Sequence, residues 1–337
     1  MNKCEKIPAS GLSAKLGGNT YDMLFASAGY EKRCLTVPEH LDRGLFKRAH
    51  VASYANNAYN EPNWTSVCNL LGNDSVRIEM HSSKPLVGAD NFARVLSGIP
   101  AGEPPKILLD ITAFTRESLI IIVGLLRRLV LVHGARVTCL YSVAGSYAGA
   151  DDISRRWLSR GIADIRSVLG FPGDMRPSRQ NHLIILPGAE EERAWSVVES
   201  YEPDLISVGM GQGTHGKDKT LKVIHESLLS RLRAVYSPHR VLEFPLSSYD
   251  PFEASEAIVK HVQSKAAYNT IVAPMHTKLS SVGAAMACFR NIDIQLCYAE
   301  PKEYNISEYS TPSDDIYVFD LDLGSLESPG VDAVPKT

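Results

Sequence analysis

Two strand tips carry the residue types that chemistry needs. The run KILLDITAFTRES, residues 106 to 118, ends an apolar strand in Asp110, Thr112, Thr115 and Arg116, then turns apolar again as LIIIVGLLRRLVLV. A second run, TIVAPMHTKLS, ends in His276, Thr277 and Lys278. Hydroxyls at a strand end, followed by a helix with free backbone N–H groups and a positive dipole end, make a ready anion site. Arg116 and Lys278 stand in the first helical turn, where a cation opposes the dipole, and an anion held there would explain them. The local alternatives are that Thr112 or Thr115 is a simple N-cap and that neighbouring Glu and Arg residues form surface ion pairs.

Two loops share these signals. SAGYEKR brings Ser27, Gly29, Tyr30, Glu31 and Arg33, and LPGAEEER brings Gly188, Glu190 and Arg193. In each, Glu and Arg could read a base edge and a phosphate, or bind each other. Further along come Tyr141 and Tyr147, matched by Tyr298 and Tyr304. The loop SVGMGQGTHGKDKT holds Gly211, Gly213, Gly216 and Lys217 in a G-x-G-x-x-G pattern and a near miss to a phosphate loop. Asp218 stands where that loop needs a magnesium-binding hydroxyl, and the acid at Glu243 is too distant for a dinucleotide fingerprint. A Gly-rich binding loop and a bland connection both remain open.

Catalytic signals are thinner. Glu31, Glu190 and His276 are the candidates for acid or base, although a lone histidine is more often structural. There is no G-x-S-x-G elbow, no C-x-x-C and no H-E-x-x-H. The 6 cysteines read as reduced core residues, so no metal and no required cofactor are expected.

The chain of 337 residues is 44% hydrophobic and 22% charged with net charge -3, an ordinary globular composition long enough for two domains. Nothing in that balance demands nucleic acid. Arg127 and Arg128 interrupt the longest apolar run, so no membrane span is expected, and the polar N-terminus carries no signal-like apolar stretch. A cytoplasmic location is the expectation.

Short apolar runs alternate with amphipathic ones throughout. YDMLFASAG, RAHVASYA, DSVRIEMHS, KILLDIT and ARVTCLYSVA read as strands with helices between, which argues an α/β fold with a mainly parallel sheet. NHLIILPG, PDLISVGMG, HRVLEFPLS, YNTIVAPMH and IDIQLCYAE repeat the order, with DDIYVFDLDL as an added edge strand. The recurring landmarks make the two runs an internal duplication of Rossmann-like, doubly wound halves. The expected divisions are an N-terminal extension over 1–19, a first half over 20–150, an Arg-rich connector over 151–180, a second half over 181–325 and a flexible tail over 326–337. The connector holds Arg155, Arg156, Arg160, Arg166, Arg176 and Arg179. It reads as an amphipathic helix and linker, or as a surface for a nucleic acid or protein partner. With strand order 3-2-1-4-5 in each half, both polar tips fall at the topological switch point where such sheets bind ligands.

At LLDITAFTRESL the sequence resembles the CARF family, the Rossmann-like sensor domains of CRISPR-associated proteins, whose fourth strand ends in a similar Asp/Asn-x-Thr-Gly-Gly-Thr-Lys pattern. Two such units in one chain are also similar to the SAVED domain of cyclic-oligonucleotide defence systems. The resemblance implies that Asp110, Thr112, Thr115, Arg116 and the SAGYEKR loop contact a cyclic oligoadenylate, with Thr277, Lys278 and the LPGAEEER loop as the second half-site. It also implies an effector subunit elsewhere. Ala113 and Phe114 replace the two glycines, and APMHTK lacks the acid and the first Thr. Three functions therefore stand side by side: a nucleotide-binding module with a composite phosphate site, an enzyme acting on a nucleotide or nucleoside, and a structural subunit of a larger complex.

Overall fold

A computed structural model describes residues 4–54, 61–99, 102–148, 157–212 and 219–326. In chain order the first part runs β1 (Glu5–Pro8), α1 (Leu12–Leu16), β2 (Tyr21–Ser27), α2 (Thr36–His40), β3 (Phe46–Tyr54), α3 (Glu61–Leu71) and β4 (Val76–Met80). It continues with α4 (Pro85–Ser97), β5 (Lys106–Asp110), α5 (Arg116–His133), β6 (Arg136–Tyr147) and β7 (Ser159–Pro172). The second part runs β8 (Asn181–Leu186), α6 (Glu191–Tyr201), β9 (Leu205–Gln212), α7 (Lys219–Val235), β10 (Val241–Ser247) and α8 (Pro251–Gln263). It closes with β11 (Asn269–Pro274), α9 (Lys278–Arg290), β12 (Ile294–Tyr304) and β13 (Ser310–Asp320).

Local chemistry accounts for most element ends. The Thr115 hydroxyl accepts from Ser118 N to cap α5, and Gly134 ends that helix in the left-handed region that only glycine enters freely. Thr277 closes a capping box with Ser280 on α9, and Asp250 accepts from Phe252 N and Glu253 N ahead of Pro251 on α8. Between β2 and β3, where the strand pattern leaves room for one helix, YEKRCLTVPEHL forms a 3-10 turn over Lys32–Leu35 and the five-residue α2, because Pro38 removes a donor early in the second turn.

Two mixed, mainly parallel sheets result. One has the order β1-β13-β6-β5-β2-β3-β4 and the other β10-β9-β8-β11-β12-β7. In both, the five parallel strands run in the expected 3-2-1-4-5 order, so the α/β fold with two Rossmann-like halves is as read from the sequence. The largest apolar cluster joins the halves, with Ile122 and Leu126 of α5 and Val282 and Met286 of α9 in one core. Helix α9 is buried along almost its whole length, and a Cβ on Gly283 would come within 2.7 Å of Pro251 O, so only glycine admits α8 so closely.

Three expectations about the divisions need correction. The connector is not a helix: Ser159–Pro172 forms β7, which pairs antiparallel with β12 in the second sheet. The final strand β13 does not edge the second half but lies inside the first sheet, antiparallel to β6 and covered by β1. The N-terminal segment is therefore part of the first sheet rather than an extension to it. Each half thus completes its sheet with a strand that follows the fifth strand of the other half, a reciprocal exchange that ties the two together. Both sixth strands present the same antiparallel hydrogen-bonding edge, so hydrogen bonding by itself does not choose between the two sheets. Among the described residues no helix is long and apolar enough to cross a membrane.

Candidate functional site

The two switch points face one another across the seam between the halves. At each, the loop after the first strand packs on the tip of the fourth, and at Gly188 glycine makes the contact feasible. A Cβ on Gly29 would sit 3.4 Å from Ala113 O, and one on Gly188 would collide with Met275 O. The polar residues around these contacts then repeat in three dimensions. Arg33 Nη1 donates to Ser142 O of β6 at 3.0 Å, and Arg193 Nη2 donates to Ala299 O of β12 at 2.5 Å. Ser310 at the start of β13 donates to Glu31 Oε2 at 2.8 Å, while Ser159 at the start of β7 donates to Glu190 Oε1 through N at 2.8 Å and Oγ at 3.1 Å.

Between them lies a buried charge cluster. Glu31 accepts from Arg33 Nε at 2.9 Å and from Arg33 Nη2, and its other oxygen lies 3.9 Å from Lys278 Nζ. Burial works against the Glu31 carboxylate, but Arg33 and Lys278 outweigh it and hold it below the usual carboxylate range. Burial pushes the Lys278 ammonium down to about 7; Glu31 opposes that, and the neighbouring Arg33 and Arg116 add to it. Arg116 donates from Nε to His276 O across the seam at 3.1 Å.

Two cavities flank this cluster, and Arg116, Lys278 and Tyr309 line both. The larger, about 750 Å3, is walled by Gly29, Tyr30 and Glu31 and the α5 start from the first half, with Tyr298, Glu300 and Tyr304 from β12 of the second. Tyr30 lies 5.5 Å from Tyr304 and 5.4 Å from Tyr309, ring centre to ring centre, so the wall is aromatic. The smaller, about 260 Å3, is walled by Gly188, Gly211 and His276 from the second half, with Arg33, Tyr141 and Tyr147 from the first. Each cavity is composite, built on one half's loop and the other half's fifth strand.

Of the sequence-derived residues, Gly29, Tyr30, Glu31, Thr115, Arg116, Lys278 and Tyr298 line the larger cavity. Arg33, Tyr141, Gly188, Gly211, His276 and Thr277 line the smaller. Ser27, Asp110, Thr112, Glu190 and Arg193 line neither, which corrects the expectation that the whole strand tip faces a ligand. Asp110 accepts from Thr112 N at 3.0 Å and Thr112 Oγ1 accepts from Ser142 N at 2.9 Å, so both lock the tip of β5 to β6 from beneath. Gly213 and Lys217 lie outside the described residues, as do Arg155 and Arg156 of the connector. Arg166 of that segment is committed to Glu117, Asp164 and Glu300, and Arg160 to Glu303. Sequence reasoning missed Tyr54, whose hydroxyl accepts from Thr115 N at 2.9 Å, and Tyr309, which reaches the seam only because β13 crosses to the first sheet.

The acid–base candidates are heavily engaged. Glu31 Oε2 is bonded by Arg33 and Ser310, and Glu190 Oε1 by Ser159. His276 Nε2 is 2.8 Å from Ser248 Oγ, and burial, with His225 and Arg116 adding to it, drives its pKa down to about 3. His182, wholly buried and 2.7 Å from Ser207 Oγ, is pushed down to about 3 by burial, then by His261 and Lys265. A histidine with a folded pKa below its unfolded value of 6.5 costs stability as pH falls through 6.5 toward 3. At pH 5 each should weaken the fold by about 2 kcal/mol relative to neutral pH. Asp110, raised to about 6 by burial, works the other way and offsets about 1 kcal/mol. The urea midpoint should therefore fall between pH 7 and pH 5, with His182→Phe abolishing about half of the histidine part; an unchanged slope in that variant would refute the assignment.

No protein-family model matches the chain, and no curated protein matches it. Among solved structures, the cytoplasmic domain of a prokaryotic cation chloride cotransporter is similar over 86% of this chain and 99% of its own, at 11% identity and a TM-score of 0.25. That likeness is too distant to carry an argument about function.

Proposed function

We propose that this protein binds a phosphate-bearing nucleotide across the seam of its two halves and acts as a nucleotide sensor, with a cyclic oligonucleotide as ligand and an effector on a separate subunit of an antiviral defence system. The observation that carries this reading is the placement of Arg116 and Lys278, which line two cavities at once and sit among tyrosine rings at both switch points. Arg116, bonded to a carbonyl, and Lys278, whose carboxylate neighbour Glu31 stands 3.9 Å away, favour an anion, and flat aromatic walls favour a base. The CARF-like strand tip supports the sensor class and the defence setting. Binding is favoured over turnover because one oxygen each of Glu31 and Glu190, and His276 Nε2, are already bonded within the protein.

The test combines mass spectrometry of nucleotide released from the purified protein with thermal shifts against linear and cyclic nucleotides. A bound nucleotide or a saturable shift is expected, weakened by ~10-fold or more in Arg116→Ala through loss of a charge-assisted contact. Absence of any shift, together with a nucleotide-free protein, would overturn the reading.

A further inference from the structure

The two cavities differ in a way that assigns them different parts of one ligand, an inference that rests on the nucleotide reading and deepens it. Duplication would leave two equal half-sites, yet one cavity is about 750 Å3 and the other about 260 Å3. Tyrosines line both, Tyr141, Tyr147 and Tyr249 in the smaller and Tyr30, Tyr298 and Tyr304 in the larger, but their charge differs. The larger is lined by Glu31, Glu300 and Glu303 as well as by Arg116, Lys278 and Lys302, so its charges are mixed. The smaller is lined by Arg33, Arg116, Lys222 and Lys278 and, among the described residues, by no aspartate or glutamate.

Partners on the page dispose of some of that charge and leave the rest. Arg33 is neutralised by Glu31 beside the wall, and Lys222, which is exposed, lies 3.7 Å from Glu226. Among the described residues, Arg116 donates only to a carbonyl, His276 O. Lys278, with a side chain 12% exposed, has its nearest carboxylate oxygen at 3.9 Å, beyond hydrogen-bond reach. Thr277, the N-cap of α9, lines the same cavity and brings the positive end of a 13-residue helix to it. Beside Thr277, whose hydroxyl donates to Ser248 O at 2.7 Å, Ser248 Oγ and His276 Nε2 are bonded to each other at 2.8 Å, so this part of the wall is polar and uncharged. Divergence from the first half is visible at one position: His276, which lines the smaller cavity, stands where the first half has Phe114, which lines the larger.

We propose that the smaller cavity is a phosphate subsite that takes one compact phosphate group of the ligand, while a base and its ribose occupy the larger, tyrosine-walled cavity. A volume of about 260 Å3 falls under the ~300–1,000 Å3 of pockets that enclose a whole organic ligand. The ligand therefore lacks two-fold symmetry as bound, although the protein around it is pseudo-symmetric. Lys278 and Arg116 stand at the junction, where the phosphate must leave one cavity for the other.

Inorganic pyrophosphate is the probe, titrated calorimetrically into the full chain. We expect saturable binding at one site per chain that weakens as salt rises, by ~10-fold or more in Lys278→Met, and recovers most of the way in Lys278→Arg. Melting curves of each variant separate lost binding from lost folding. No saturable heat from wild-type protein, or equal affinity in Lys278→Met, would overturn the subsite. A nucleotide that binds without competing with pyrophosphate would also overturn it while leaving the nucleotide reading intact. Pyrophosphate binding with no response to any nucleotide would sustain the subsite and remove the nucleotide reading.

Discussion

Arg33→Met should destabilise the protein by about 3–5 kcal/mol, read as a fall in the urea midpoint at unchanged slope. The guanidinium is buried and bonded to Glu31, to Ser142 O and to Ser310 Oγ, so it joins the first-strand loop, β6 and β13 at one point. Its removal leaves the Glu31 carboxylate buried with Ser310 and a distant Lys278. A carboxylate stripped of its partner in a dry site is far costlier than the pair was worth. The double variant Glu31→Gln/Arg33→Met should then recover a large part of the loss, since the uncompensated charge is gone. A single-variant loss below about 1 kcal/mol, the range of exposed pairs, would show that the cluster is solvated.

Residues 1–180 and residues 181–326, produced separately, should each fail to melt cooperatively, whereas the full chain should unfold in one transition. The reciprocal exchange is the reason. Without the second half, β6 loses the whole of β13 and β1 loses its one strand partner, exposing Ile316, Val318 and Phe319 contacts that close the first core. Without the first half, β12 loses β7 and the Arg166 junction with Glu300 and Glu117. The shared core between α5 and α9 is cut in either case. Circular dichroism and calorimetry of the pieces decide the matter, and an independent cooperative transition in either one would show that the exchange is not needed for folding.

Much of the site was legible from residues alone. Gly29 and Gly188, Thr115 and Thr277, Arg116 and Lys278 recur at equivalent places, and the 3-2-1-4-5 order brings them to one seam. Thr115 and Thr277 do cap their helices, so the plain reading of those hydroxyls holds for the contacts seen. What was not legible was depth. Asp110 and Thr112 look like site residues in a string of letters, yet Asp110 accepts from Thr112 N, Thr112 Oγ1 accepts from Ser142 N, and neither lines a cavity. A polar side chain in an apolar run signals only that some partner exists, and the partner here is the neighbouring strand.

Tyr309 and β7 mark a second limit. A run such as IYVFDLDL announces a strand through its apolar pattern, but not which sheet receives it. By itself the sequence determined the alternation of strands and helices, the duplication, the caps and the cations at two helix starts, because each of these is set by neighbours a few residues away. Only the tertiary structure decided that β7 and β13 cross between sheets, that one cavity is large and aromatic and the other small and cationic, and that Lys278 sits between them. Strand pairing is a contest between distant edges offering the same hydrogen bonds, and it is won by packing across the whole molecule.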